Sequence, residues 1–184
     1  MTEEKSILIV DDDKIILDSL KEFLLLEGFE TRGVQTLKNA AAELQKQNYS
    51  LVITDINLSD GDGFELLDMV RKNYPQTVVI VITGYGTIGS AVKAIKRGAY
   101  DYLTKPIIDD ELRMAVDRAI RQQSIIKENE SLRLKLEQKY SLENIISHDY
   151  KMAKIFDLVE AVADSTTTIL MTGPSGTGKS MLAR

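Results

Sequence analysis

A doubly wound α/β domain over residues 1–120 is predicted by three observations. Short runs such as Ile7-Leu8-Ile9-Val10, Leu51-Val52-Ile53-Thr54 and Val78-Val-Ile-Val-Ile82 are apolar on both faces, which suits parallel strands covered on both sides. They alternate strictly with amphipathic stretches, giving five β–α units and hence one parallel sheet. Finally, Asp11-Asp12, Asp55, Thr83 and Lys105 each stand where a different strand ends. In the strand order 2-1-3-4-5, ligands bind beyond the C-terminal strand ends, where the order reverses between the first and third strands. Those two strands end in Asp11-Asp12 and Asp55.

Each element has a local cause. Ser6–Val10 is the first strand. Lys14–Glu27 has helical spacing through Ile16, Leu20, Phe23 and Leu24, and Gly28 stops it. Phe29–Val34 is the second strand. Thr36 caps a helix through Gln47 whose inner face is Leu37, Ala40, Ala41 and Leu44. Leu51–Asp55 is a buried strand running into a carboxylate, and a turn-forming run, Asn57-Leu-Ser-Asp-Gly-Asp-Gly63, follows. Phe64–Lys72 is the third helix, with Pro75 barring its extension. Thr77–Ile82 is the fourth strand, Thr87–Arg97 the fourth helix with Gly98 as its stop, and Ala99–Leu103 the fifth strand. Thr104-Lys105-Pro106 leads to a helix starting near Asp109.

Composition limits the function classes. Net charge is −5, and residues 1–120 hold 14 basic against 20 acidic side chains, while the remainder holds 9 against 8. No basic block suggests that this stretch grips nucleic acid. Without cysteine there is neither a disulfide frame nor a thiolate metal site. The polar, acidic N-terminus is unlike a signal peptide, and no apolar run approaches a membrane span, so a cytoplasmic protein is expected.

Three carboxylates gathered at one rim repel one another and need a compensating charge. Oxygen-only donors favour a hard cation, and Mg2+ fits best. Asp12 and Asp55 are assigned as direct ligands, Asp11 as a water-mediated one, and the backbone carbonyl of Asn57 as a further oxygen. Lys105 supplies a second positive charge, and Thr83 a hydroxyl for a phosphoryl oxygen. The bland alternative is a set of solvated loop acids, and Asp13 is placed in that class.

Residues 5 to about 120 resemble a response-regulator receiver domain, a flavodoxin-like (CheY-like) fold, through Asp11-Asp12, Asp55, Thr83-Gly84 and Lys105-Pro106. The resemblance implies that Asp55 accepts phosphate from a sensor histidine kinase, that Thr83 and Tyr102 form a switch with Lys105, and that the bond to Pro106 is cis. Ser59 stands where many relatives carry proline, which touches turn stiffness and not chemistry.

No Gly or Pro interrupts residues 110–140. Leu112, Val116, Ala119, Gln123 and Ile126, then a shifted seam of Ile125, Asn129, Leu132 and Leu136, follow coiled-coil steps. A parallel homodimer through this helix, Asn129 fixing its register, is expected over the alternative of a solvated linker helix lying against its own domain. The polar stretch 141–149 marks a boundary, with His148 read as a loop or cap residue. Met152–Ala163 is expected to be a helix and Thr166–Met171 a strand. Gly173-Pro-Ser-Gly176-Thr-Gly178-Lys179-Ser180 then fits the P-loop pattern, in which backbone N–H groups cradle phosphates, Lys179 reaches the outer ones and Ser180 holds Mg2+.

The division is therefore a receiver at 1–120, a helical linker at 121–140 and the start of an AAA+ ATPase at 141–184. This order resembles the NtrC class of sigma-54-dependent activators, with Pro174 and Ser180 as departures where that class usually has Glu. The resemblance implies ATP as a ligand of a complete ATPase domain, and sigma-54 RNA polymerase and DNA as partners reached through domains beyond Arg184. The 184 residues are read as a fragment of a longer regulator that does not itself hydrolyse ATP, with a poorly packed tail. A stand-alone receiver and dimerisation module is one alternative, and two rivals come from other classes: an ATP-driven enzyme with a regulatory receiver, and a flavodoxin-like cofactor binder. The second is disfavoured because three acids after the first strand repel a phosphate ester.

Overall fold

Alternation of side chains along the strands sorts the apolar residues into two cores. In a computed structural model of the chain, describing residues 5–84, 86–140, 150–163 and 168–183, β1 (Ser6–Val10), β2 (Glu30–Val34), β3 (Leu51–Asp55), β6 (Val78–Thr83) and β7 (Asp101–Thr104) form one parallel sheet. Its order is β2-β1-β3-β6-β7, which is 2-1-3-4-5 when only the five long strands are counted. Ile7, Ile9, Leu51, Ile53, Ile80 and Ile82 face α1 (Lys14–Leu26) and α5 (Asp109–Tyr140). Leu8, Val10, Val52, Val79 and Val81 face α2 (Leu37–Lys46), α3 (Gly63–Asn73) and α4 (Ile88–Lys96). Most of these strand residues are fully buried, each contributing about 1.5–3 kcal/mol relative to exposure. Because all five strands run parallel, their C-terminal ends lie on one rim.

Helix starts follow their caps. Asp13, read as a solvated acid, is the N-cap of α1 and accepts from the N–H groups of Ile15 and Ile16. Thr36 caps α2, Asp62 caps α3, and Thr87 with Ser90 forms a capping box on α4. The turn after β3 is more ordered than the sequence suggests. It holds a two-rung antiparallel hairpin, β4 (Asn57–Leu58) with β5 (Gly61–Asp62), too short for a period-2 pattern to reveal.

Glu43 is the one charged side chain of α2 turned inward. Its carboxyl is held below the usual range by the hydrogen bond from Lys46 at 2.7 Å, helped by Arg32 and Tyr49. Because the folded value is the lower one, this contribution is present above the unfolded glutamate value near 4.3 and is lost as pH falls through the folded value. Glu43→Gln is therefore expected to lower stability at pH 7 and to leave it unchanged near pH 2, checked by urea denaturation at both.

Chain contacts divide into two units, Met1–Lys127 and Glu128–Arg184. Within the first, Leu112, Val116 and Ala119 are buried in the core beside α1. This corrects the expected first seam, because those positions are consumed by the domain's own packing. The shifted seam differs: Ile125, Leu132 and Leu136 are all more than half exposed, and Asn129 is exposed. In the second unit, α6 (Tyr150–Ala163) forms as expected. Residues 168–171 are not a strand, since no neighbouring strand among the described residues offers them a ladder. The boundary at 141–149, with His148, and residues 166–167 lie outside the described residues.

Candidate functional site

Three of the strand-end acids converge. Asp11 follows β1 and Asp55 closes β3, the two strands that flank the reversal of strand order. Asp11, Asp12 and Asp55 each offer a carboxylate oxygen, and those atoms lie within 4.8 Å of one another. Asp11 and Asp55 are buried, and Asp12 is exposed at the mouth. Lys105 reaches across from beyond β7, its Nζ 2.6 Å from Asp55 Oδ2 and 2.7 Å from Asp11 Oδ2. Asp11 Oδ2 is buried, and the Lys105 ammonium is its close charged partner. Asp11 Oδ1 accepts from the Asp13 N–H, and Asp55 Oδ1 from the Asn57 N–H.

Burial pushes the Asp11 carboxyl up, and the Lys105 ammonium offsets only part of that rise. Burial alone would lower the Lys105 value, but its contacts with Asp11 and Asp55 outweigh it and hold the ammonium charged. A pocket with an electrostatically costly buried carboxylate, two further carboxylates beside it and only oxygen ligands fits a hard divalent cation.

The remaining candidates sit on the same rim or act from beside it. Thr83, the last residue of β6, is buried and pairs in register with Thr104. Tyr102 on β7 is half-buried, and its hydroxyl lies 2.7 Å from Ser90 Oγ in the first turn of α4. The Lys105–Pro106 peptide is cis. In the second unit, Gly176 and Gly178 have φ of +84° and +82°, a conformation that favours glycine. The loop curls around Lys179, whose Nζ donates to the carbonyls of Gly173 (2.9 Å) and Pro174 (2.5 Å). Ser180 is exposed beside it in α7 (Lys179–Leu182).

Four residues near the acid pocket escaped the sequence reading. Gly63 donates its N–H to the Ile56 carbonyl at 2.7 Å and packs against the backbone of Asp55. Asp60 accepts from the N–H groups of Leu37 and Lys38, and Gln35 donates to the Asp12 carbonyl. Ser90 joins Tyr102 to the α4 cap. Only Thr87-x-x-Ser90 left a signal, as a weak capping-box spacing; the others act across more than twenty residues or through backbone.

The sheet order and the acid cluster at its switch point define a flavodoxin-like α/β domain with three carboxylates gathered at its C-terminal rim. The chain belongs to the response regulator receiver domain family, whose model matches residues 7–117, and it continues into the start of a sigma-54 interaction domain, matched at 145–184. It is 34% identical over 180 residues to the nitrogen assimilation regulatory protein NtrX of Azorhizobium caulinodans, covering 97% of this chain and 39% of that protein. It is 34% identical over 184 residues to the regulatory protein AtoC of Escherichia coli, covering 100% of this chain and 40% of the relative. The chain thus spans about two-fifths of the length of these relatives. Among solved structures, the beryllofluoride-activated NtrC4 receiver domain dimer matches with TM-score 0.62 and 36% identity, over 65% of this chain and 98% of that one. NtrX from Brucella abortus in complex with ATP matches with TM-score 0.66 and 35% identity, over 98% of this chain and 39% of that one. The domain order is that of the NtrC-class activators: a two-component receiver joined to a sigma-54 activator segment. Among the described residues no helix is long and apolar enough to cross a membrane.

Proposed function

We propose that Asp55 is the phosphoacceptor and that residues 1–120 act as the receiver, 121–140 as the transmitting linker and 141–184 as the beginning of the ATPase. The observation that carries this reading is the meeting of Asp11, Asp12 and Asp55 oxygens around Lys105. Mg2+ would be held by Asp12, Asp55, the Asn57 carbonyl and, through water, Asp11; when bound it would neutralise phosphoryl oxygens. An Asp55 oxygen attacks phosphorus of a phosphohistidine on the sensor kinase. The P–N bond breaks as the P–O bond forms, and the imidazole nitrogen keeps the electron pair and takes a proton. Lys105 stabilises charge on the transferred group, and Thr83 donates its hydroxyl to a phosphoryl oxygen.

Helix α4 is the natural responder. Ala94 is its only fully buried side chain, while Ile88, Val92 and Ile95 are exposed, so it is weakly anchored. Its ties are polar: Lys93 and Arg97 lie over the Phe64 ring, Arg97 pairs with Asp68, and Ser90 meets Tyr102. Movement of Thr83 toward a phosphoryl group, with Tyr102 turning inward, would break the last of these.

The exposed seam Ile125, Asn129, Leu132 and Leu136 supports a homodimer through the 110–140 helix, reached by its second half only. The NtrC4 relative is itself described as a receiver dimer. In the whole protein a completed P-loop domain, with Gly173, Gly176, Gly178, Lys179 and Ser180 on the nucleotide, would bind ATP and act on sigma-54 polymerase at DNA in the cytoplasm.

Incubation with Mg2+ and acetyl phosphate is expected to add one phosphoryl mass to the wild type and none to Asp55→Asn, with a change in oligomeric state only in the former. An unmodified wild type, or an adduct surviving in the variant, overturns the assignment of Asp55.

A further inference from the structure

The two loops that carry the acids meet a third segment, the corner between β2 and α2. On one side, Gln35 Nε2 donates to the Asp12 carbonyl at 3.1 Å, and the Asp11 N–H donates to the Val34 carbonyl at 3.2 Å. On the other side, Asp60 accepts from the Leu37 N–H at Oδ1 (2.7 Å) and from the Lys38 N–H at Oδ2 (3.0 Å). Thr36 takes the Asn39 N–H, so the first three amides of α2 are all satisfied, two of them by a residue more than twenty positions away.

Asp60 lies between the two rungs' strands, at the tip of the hairpin that begins with Asn57. Two rungs do not hold a hairpin in place without outside support. That support comes from Leu58, which is buried, and from the Asp60 carboxylate seated on the first turn of α2, where amide N–H groups and helix dipole favour negative charge. The carboxyl is held below its usual range by the Lys38 and Leu37 amides, so it stays ionised through the neutral range.

We propose that Asp60 and Gln35 are positioning residues for the cation pocket: the β2–α2 corner braces the Asp12 turn through Gln35 and the Asn57 hairpin through Asp60. This rests on the reading of the acid pocket as a Mg2+ site. Neither side chain is assigned to the ion. Each fixes a loop that supplies an oxygen to it, so loss of either leaves the ligands present but looser, with weaker binding and an otherwise intact fold. Outer partners of this kind typically change metal affinity 10–100-fold.

The test is Mg2+ titration of the full chain by calorimetry, alongside urea denaturation without the ion, for Asp60→Ala, Asp60→Asn, Gln35→Ala and Glu65→Gln. Glu65 serves as charge control: it stands in the first turn of α3, near Gly61, and lacks the bonds to α2. Asp60→Ala is expected to raise the Mg2+ dissociation constant about tenfold, Gln35→Ala by a few-fold, and Asp60→Asn by an intermediate factor because it keeps one acceptor. Glu65→Gln should stay within twofold. Equal effects of Asp60→Asn and Glu65→Gln would mean bare charge and overturn the brace. So would unchanged affinity in Asp60→Ala, or lost stability with unchanged affinity. A wild type that binds no Mg2+ would instead defeat the pocket reading itself, and the brace with it.

Discussion

Lys105→Met is expected to slow phosphoryl uptake at Asp55 by about 10²-fold, the usual consequence of removing one donor that stabilises transition-state charge. Methionine keeps much of the side chain's length and apolar contact, so the change isolates the ammonium. The same variant is expected to lose about 3 kcal/mol of stability without divalent cation, because removing one partner of a buried ion pair leaves the others uncompensated. Here those others are the Asp11 and Asp55 carboxylates, each contacted by Lys105 within 2.7 Å and both largely shielded from solvent. Millimolar Mg2+ should restore part of the stability, since a divalent ion replaces the missing charge, but not the rate, since it does not replace the donor. Urea denaturation with and without Mg2+, and intact mass during acetyl phosphate treatment, read the two effects separately. Equal stability of variant and wild type in the absence of Mg2+ would show that the two acids do not depend on Lys105.

Gly63→Ala is expected to cost about 1–3 kcal/mol, the range for forcing extra atoms into a filled site, and to impair Asp55 as well. A methyl group at position 63 would overlap the Asp55 carbonyl oxygen and lie 2.9 Å from both the Asp55 carbonyl carbon and Ile56 Cα. These are backbone atoms with no rotamer to change, so either α3 or the end of β3 must move. The Gly63 N–H bond to Ile56, at 2.7 Å, would be strained in the same displacement. Gly61→Ala is the matched control two residues earlier. There the nearest atom to an added methyl is Leu37 Cδ1 at 3.6 Å, an ordinary contact, and the substitution should be close to neutral. Comparison of denaturation midpoints and phosphorylation rates for the two variants separates close approach from a general intolerance of alanine in this loop.

Helix α4 buries only Ala94 fully. A helix with one buried side chain keeps its place through polar ties at its start and charged contacts with α3, each weaker than core packing. The long α5 has the opposite character. Its first part is locked by Leu112, Ala115, Val116, Ala119 and Ile120, and by Arg113 to Glu27 and Arg118 to Asp101. Farther along it, Leu132, Leu134 and Leu136 are exposed.

By itself the sequence determined the five long strands and five helices of the first domain, their order and the residue types at the rim. Apolar runs of strand length, helical spacing between them and a polar residue at each strand end are local features, and right-handed connection of five β–α units leaves few ways to arrange them. The strand order and the convergence of Asp11, Asp12, Asp55 and Lys105 followed from that pattern. Only the tertiary structure decided which contacts hold those side chains. Asp60 looks like any turn acid until it meets α2, and Gly63 like any loop glycine until it meets the Asp55 backbone. The heptad-like spacing of Leu112, Val116 and Ala119 reads equally as dimer seam or as core, because both require the same apolar stripe. Burial beside α1 settles it for the core, since a side chain already removed from water by its own domain has no surface left for a partner.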